Sequence, residues 1–557
     1  MTGYSWGGSA VVVVITLLLI SGAAGIGTQL GDGSQAVSGF TGTASAQQSG
    51  VIQVENPLLD NVDSDGATGE AETDDGDEVY GSIQAGVGNA SDGVRVEVAP
   101  GTYRERAVKI RSNITLVGTG GPDETTLNGG DFSLPTAIEI VDGTPVIDGI
   151  GFRNYTIGVG ADDSSGEWTV RNSVFWKTET GVSGFNSSGD WTVEDSAFRN
   201  TSIGVLPISS SGGWTVRDST FQNNSYGVQA AHSVGDWTIQ STTFENNTEG
   251  VRTPDSSGAW TVQASSFSNG TVGVYGYGSS GDWTIRNSRF RNNEGDGVQA
   301  GYSSGRWDVR NSTFRNNGHD GVQASNSSGG WTVRDSLFVN NIAGVRAFNS
   351  SRDWAVQNST FRNNIFGVRA FNSSGAWTVQ ASSFRHGTLG VYGDNSSGMW
   401  SVRNSTFRDI AYGVTAYRSS GAWTVRGSVI RNGTTGVYAV NTSGAWEVHQ
   451  STITDNVDSG INATGAAPPG KATANYWGQA GGPTAGQCVG NVICPSSHPS
   501  GTTQAVFEAV TGQSGDAETL QRQDVIGAVS AYLSDQPING ESLTRQDVID
   551  LVRWYLT

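Results

Sequence analysis

Thirteen tryptophans recur between Trp168 and Trp446, in steps of 23 residues except for two consecutive steps of 24. Most other residues recur with them, in a unit that reads roughly S-S-G-x-W-T-V-R-N-S-x-F-R-N-N-x-x-G-V-x-A. A period in this range signals a solenoid, in which each repeat buries its apolar face only by stacking on its neighbours. Within the unit the period drops to two: Trp and Val of W-T-V share one face, and Thr and the next Arg or Gln share the other. Phe follows five residues after that Val, and Gly-Val six residues after Phe. Each coil thus offers three short strands with inward Val, Phe and Val, separated by Ser, Asn-Asn and Ser-Ser-Gly turns. The expected fold class is all-β, a parallel solenoid of about 23-residue coils. At about 4.8 Å per coil, thirteen coils make a stack on the order of 60 Å long. The Gly before each Val suits a position that needs positive φ. The Asn two residues after Phe (Asn223, Asn246, Asn316 and others) is expected to form a hydrogen-bonded ladder from coil to coil.

Composition narrows the partners. Asp and Glu number 52 against 32 Lys and Arg, a net charge of −20, and Lys109, Lys177 and Lys471 are the only lysines. An acidic, lysine-poor chain resembles proteins of extreme halophiles. It argues against nucleic acid as a partner, because phosphate binding wants a basic footprint. The apolar run Ala10–Ile20 fits a signal-peptide core within residues 1–46, with an uncleaved anchor as the alternative. Residues 47–78 hold an acid-rich, Gly-rich stretch that reads as a flexible linker. Cys488 and Cys494, the only cysteines, sit six residues apart in a chain expected to be exported, which points to one local disulfide within a 488–512 linker.

The solenoid is expected to span residues 79–487. Val79, Ile83 and Val87 lie at helical spacing and predict a short capping helix. Val94, Val96 and Val98 then alternate as in a half-buried strand. The segment 79–120, with its "APGTY", and the repeat itself resemble the right-handed parallel β-helix repeat family of pectin-lyase-like proteins and of periplasmic copper-associated β-helix proteins. The ending N-Y-W-G-Q-A-G-G-P, from residue 475, resembles the N-W-W-G-x-x-x-G-P close of the same family. The resemblance implies a right-handed helix; copper has little to bind in a chain with five His and two Met. In the tail, LQRQDVIGAVSAYL (520–533) and LTRQDVIDLVRWYL (543–556) are near-duplicates. They resemble a dockerin-type helix pair over residues 513–557. Asp524 and Asp547 match that family's last calcium ligand, but the upstream loops lack its regular Asp-x-Asn-x-Asp pattern. Calcium is thus the one metal the sequence leaves open, and the pair could also be a docking unit for a protein partner.

Three groups of residues could carry function. The tryptophans form either core packing, since they share parity with the inward Val, or an aromatic platform for sugars. The outward side of the Gly-Val strand carries Tyr275, Tyr277, Arg346, Phe348, Arg369, Phe371, Tyr392, Tyr417 and Tyr438, a pattern of rings and planar donors that suits sugar faces or a protein contact. Both 24-residue steps enlarge the same turn, so Asp296 and Asp320 should stack on adjacent coils with His319 beside them. Paired carboxylates of this kind are what a retaining glycosidase or a cation site would use; the plain reading is an Asp-Gly turn. The sequons at Asn186, Asn326, Asn349, Asn372, Asn395 and Asn441 sit in N-[ST]-S turns and are candidate glycosylation sites. The sequence therefore reads as an exported, extracellular or cell-surface protein, non-catalytic, that binds polysaccharide or envelope components along its outer face. A polysaccharide lyase or glycoside hydrolase is the alternative. The repeat's regularity favours the first, because an active site shows as a departure from consensus.

Overall fold

In the computed structural model the described residues are 50–55, 71–72, 78–130, 134–478 and 482–494. They form an all-β, right-handed parallel solenoid of about 18 turns. The apolar run at 10–20 and the helix pair at 513–557 lie outside the described residues.

Each coil contributes one strand to each of three parallel sheets. In one coil these are Trp214–Arg217, Thr220–Gln222 and Tyr226–Gln229. Coils pair in exact register, so Trp214 lies on Trp237, Phe221 on Phe244 and Val228 on Val251. We call these the first, second and third sheets. Inward side chains from all three make one continuous core. The tryptophans are at most 3% exposed and stack ring on ring at 4.5–5.5 Å, which settles their packing role. The phenylalanines stack likewise, as Phe221 does on Phe244 at 4.8 Å. All thirteen indole N–H groups are buried without a hydrogen-bond partner among the described residues. Each such group costs on the order of 1–3 kcal/mol, which the buried area and stacking of the rings must exceed.

Three left-handed residues turn each coil. One follows each strand, and most are Asn or Asp: Asp218 (φ 52) after a first-sheet strand, Asn223 (φ 58) after a second-sheet strand and Asn349 (φ 51) after the third-sheet strand Ala343–Phe348. These are the side chains that tolerate this region best. The glycine before each third-sheet valine is not among them, which corrects the positive-φ expectation. It is required for space. A Cβ on Gly227 would sit 2.6 Å from Phe244 Cδ1 and 2.5 Å from the Gly250 carbonyl oxygen. The expected Asn ladder is present on the outside, with Asn340 Nδ2 donating to Asn316 Oδ1 at 2.8 Å. The next Asn forms a second, buried ladder: Asn317 Nδ2 donates to Asn341 Oδ1 and Asn341 Nδ2 to Asn364 Oδ1. A buried serine ladder accompanies it, each hydroxyl accepting the backbone N–H of the serine one coil before, as Ser382 does from Ser359 at 3.2 Å.

Both ends extend past the sequence boundaries. Val51–Val54, inside the stretch read as a linker, is a strand paired with Arg95–Val98. Its alternating Ile52 and Val54 are buried in the first coil. The capping helix is shorter than expected, Ile83–Asn89 with Ser82 as its N-cap; Val79 belongs to the strand Glu78–Tyr80 instead. Gly86 lets the helix lie against Val54, where a Cβ would come within 2.7 Å. At the other end Cys488–Gly490 pairs with Ser459–Ala463, and Val492–Ile493 with Gly470–Thr473. The Cys488–Cys494 disulfide therefore closes a last coil rather than lying in a linker.

Candidate functional site: an outer groove and an aromatic face

The outer side of the first sheet is concave. A groove of roughly 2030 Å³ follows it from Thr144 and Pro145 to Lys471. Its floor is the outward residue of W-T-V, Thr192, Thr215, Thr238, Thr261 and Thr284 on five successive coils, each half-buried. One rim carries the residue before each Trp. Asp190, Asp236, Asp282 and Asp353 stand here, and each accepts the backbone N–H one coil on, as Asp236 does from Ala259 at 2.8 Å. The other rim carries arginines and glutamines. Arg334 grips Asp308 through two bonds of 3.2 and 3.1 Å. The groove is thus a row of hydroxyls, each both donor and acceptor, flanked by planar donors. The sequence pattern held the threonines in plain view, but only concavity distinguishes this face from any other solvent side of a sheet.

The aromatic face lies on the third sheet, where alternation placed it, but its members engage one another. Arg369 lies over the rings of Phe366, Phe371 and Tyr392 at 4.7, 5.4 and 5.6 Å and pairs with Asp394 at 3.4 Å. Phe348 stacks on Phe371 at 5.3 Å, and Arg346 sits over Phe348. Planar groups one coil apart satisfy each other in this way. Burial first, then the nearby Asp394, pushes the Tyr392 hydroxyl up to about 12. Tyr275, Tyr417 and Tyr438 are half-buried, while Tyr277 is 40% exposed and tilts against Tyr302.

Asp296 and Asp320 do meet, in register on adjacent coils. Asp296 Oδ1 accepts the Asp320 N–H at 2.8 Å, and Asp320 Oδ1 accepts the Ala343 N–H at 3.0 Å. They are 5% and 1% exposed, so the pair lies within the wall rather than on it. Burial, and secondarily the Asp320 charge, pushes Asp296 up to about 7. Asp320 is raised too, by burial, with Arg346 at 3.5 Å opposing the shift. His319 is exposed and its backbone N–H donates to the Gly295 carbonyl; among the described residues no hydrogen bond joins its side chain to the pair. Among the described residues no three His, Cys, Asp or Glu side chains cluster as metal ligands would. The sequon asparagines stand at left-handed turns; Asn326 is half-buried and Asn186, Asn349, Asn372, Asn395 and Asn441 are exposed. Some are already bonded to each other, as Asn395 Nδ2 is to Asn372 Oδ1 at 2.7 Å.

Comparison with known proteins agrees with this architecture. The family described as "Right handed beta helix region" matches residues 204–366 and 389–470. The family described as "Periplasmic copper-binding protein (NosD)" matches residues 136–258. Copper sites draw on imidazole and sulfur ligands. Residues 136–258 hold one histidine, His232, and neither Cys nor Met, so they do not fit that metal. No curated protein matches. Among solved structures the chain is similar to the catalytic unit of a GH87 alpha-1,3-glucanase from Streptomyces thermodiastaticus, with 14% identity over 65% of this chain and 69% of that one and a TM-score of 0.43. A mannuronan C-5 epimerase A-module from Azotobacter vinelandii matches at 16% identity over 60% and 91%, with a TM-score of 0.32. Among the described residues no helix is long and apolar enough to cross a membrane.

Proposed function

We propose that this is an exported, non-catalytic β-helix protein of the cell surface that holds a linear polysaccharide along the groove of its first sheet. The observation that carries this reading is the groove's continuity. One channel accompanies the stacked coils from Thr144 to Lys471, floored between those ends by a Thr or Ser hydroxyl at every step except Asp308, Ala355 and Glu447. An extended polymer meets such a surface many times over, each contact weak and the sum strong. The non-catalytic half of the reading is supported by the burial of Asp296 and Asp320, whose carboxylates are committed to backbone N–H groups. Export is supported by the apolar run near the N-terminus and by the Cys488–Cys494 bridge.

The test is binding of neutral glucan and mannan oligosaccharides of graded length, with the solution analysed by mass spectrometry. Affinity is expected to keep rising with length, because each added sugar meets another coil, and the oligosaccharides are expected to remain intact. A plateau after a few sugars together with shortened products would contradict the proposal and favour a hydrolase or lyase.

A further inference from the structure

The chain's net charge of −20 conceals a local reversal. From Trp283 to Trp446 there are 17 arginines against 8 acidic residues, a balance of +9. Many of these arginines share one position, the residue after the stacked Phe or Ile on the outer side of the second sheet. Over seven successive coils that column reads Arg291, Arg315, Val339, Arg362, Arg385, Arg408 and Arg431. Each member is in register with the next. The rings beneath fix the step: Phe361, Phe384 and Phe407 are 4.7 and 4.6 Å apart. Arg291, Arg315 and Arg362 are exposed, and the last three are half-buried. The parallel column two residues earlier adds Arg289 and contains no acid over the same coils. The turns that flank these strands hold Glu294, Asp296, Asp320, Asp335 and Asp409; Asp296 and Asp320 are buried, and Asp409 lies 3.5 Å from Arg408.

Like charges directly opposite each other on neighbouring strands are unfavourable for folding. A solenoid core of Trp, Phe and Val gains nothing from them, since the column lies wholly on its outer side. We propose that this arginine column is a binding track for a linear acidic polysaccharide, on a different face from the groove. Arginine grips carboxylate and sulfate through paired N–H donors. A straight column with one guanidinium per coil suits an extended chain whose acidic groups repeat at a similar interval. It suits nucleic acid less well. Duplex phosphates follow a helical path that leaves a straight column after a few contacts, and single strands are held by aromatic platforms, which these seven coils do not present here.

The experiment uses the full chain and four probes: polygalacturonate, dextran sulfate, neutral dextran and a single-stranded oligonucleotide. Affinity is measured at rising salt for the native protein, for Arg362→Gln/Arg385→Gln, and for the control Arg352→Gln/Arg418→Gln. The control makes the same charge change at the turn between the third and first sheets. Glutamine already stands in the column at Gln222, so the strip variant should fold. The track predicts that at least one acidic polymer binds in a salt-sensitive way. The strip variant should lose about tenfold in affinity for it, and the control less than about twofold. Carboxylate and sulfate are told apart by which polymer binds. Filling the groove should leave this binding intact, so this track and the groove can fail separately. Equal loss in the control, no acidic polymer bound, or strip-dependent binding that favours the oligonucleotide would overturn the proposal.

Discussion

Replacing Trp260 by Ala is expected to destabilise the solenoid by about 3–5 kcal/mol, the range for removing a fully buried large aromatic. Trp260 is 2% exposed and lies between Trp237 and Trp283, 4.8 and 4.6 Å away. Its loss leaves a cavity the size of an indole and cuts the ring stack in two. Because each coil touches only its neighbours, the damage should stay local in structure while weakening the cooperativity of the whole. Hydrogen exchange is the right readout: protection should fall most in the strands of the coils on either side. Trp260→Phe gives the contrast. It keeps a ring in the stack and removes an indole N–H that has no partner among the described residues, so its cost should be well below that of Ala. Equal losses for both variants would mean that a phenyl ring in the stack contributes nothing over a methyl group, which would contradict this account.

Asp296→Asn is expected to stabilise the protein at pH 8 and to change little near pH 4. Folding raises the Asp296 pKa to about 7, first by burial and then by Asp320. Between about pH 4 and 7 the unfolded chain gives up this proton while the folded chain keeps it, so native stability falls as pH rises through that window. A shift of this size corresponds to a few kcal/mol, on the order of three times the 1.4 kcal/mol per unit. Asparagine keeps the Oδ1 acceptor for the Asp320 N–H and carries no charge to bury. Thermal unfolding across pH 4–8 checks the sign. A variant less stable than the native chain at pH 8 would mean that the Asp296 carboxylate is held by a favourable interaction when charged.

The fold was legible because its signal is periodic. Trp, Phe and Val of each unit fell on inward positions by parity alone, and the structure buries each of them. The glycine before Val was read for the wrong reason. Sequence cannot separate a positive φ from a close approach, and the approach here is to a phenylalanine and a carbonyl one coil away. The two ends were misjudged for a related cause: Val51–Val54 and Cys488–Ile493 become strands through neighbours distant in sequence, not through any pattern of their own. Relations across coils were harder still. Alternation put Arg369 and Phe371 on an outer face but could not say that they would stack on Phe366 and Tyr392, nor that Arg346 would reach Asp320. The arginine column was hidden by averaging: a net charge taken over 557 residues says nothing of a stripe formed by every twenty-third one.

The most direct measurement of the central claim is polysaccharide binding after the groove is filled from its floor. Thr238→Trp and Thr284→Trp place large side chains on the outer side of the first sheet, two coils apart, where they need not disturb the core. Tyr277→Ala, on the third sheet, serves as the comparison. If the groove carries the polymer, binding of long neutral chains is lost in the double tryptophan variant and kept in the tyrosine variant. If the filled protein binds as before and the tyrosine variant does not, the groove account is wrong and the aromatic face is the binding surface.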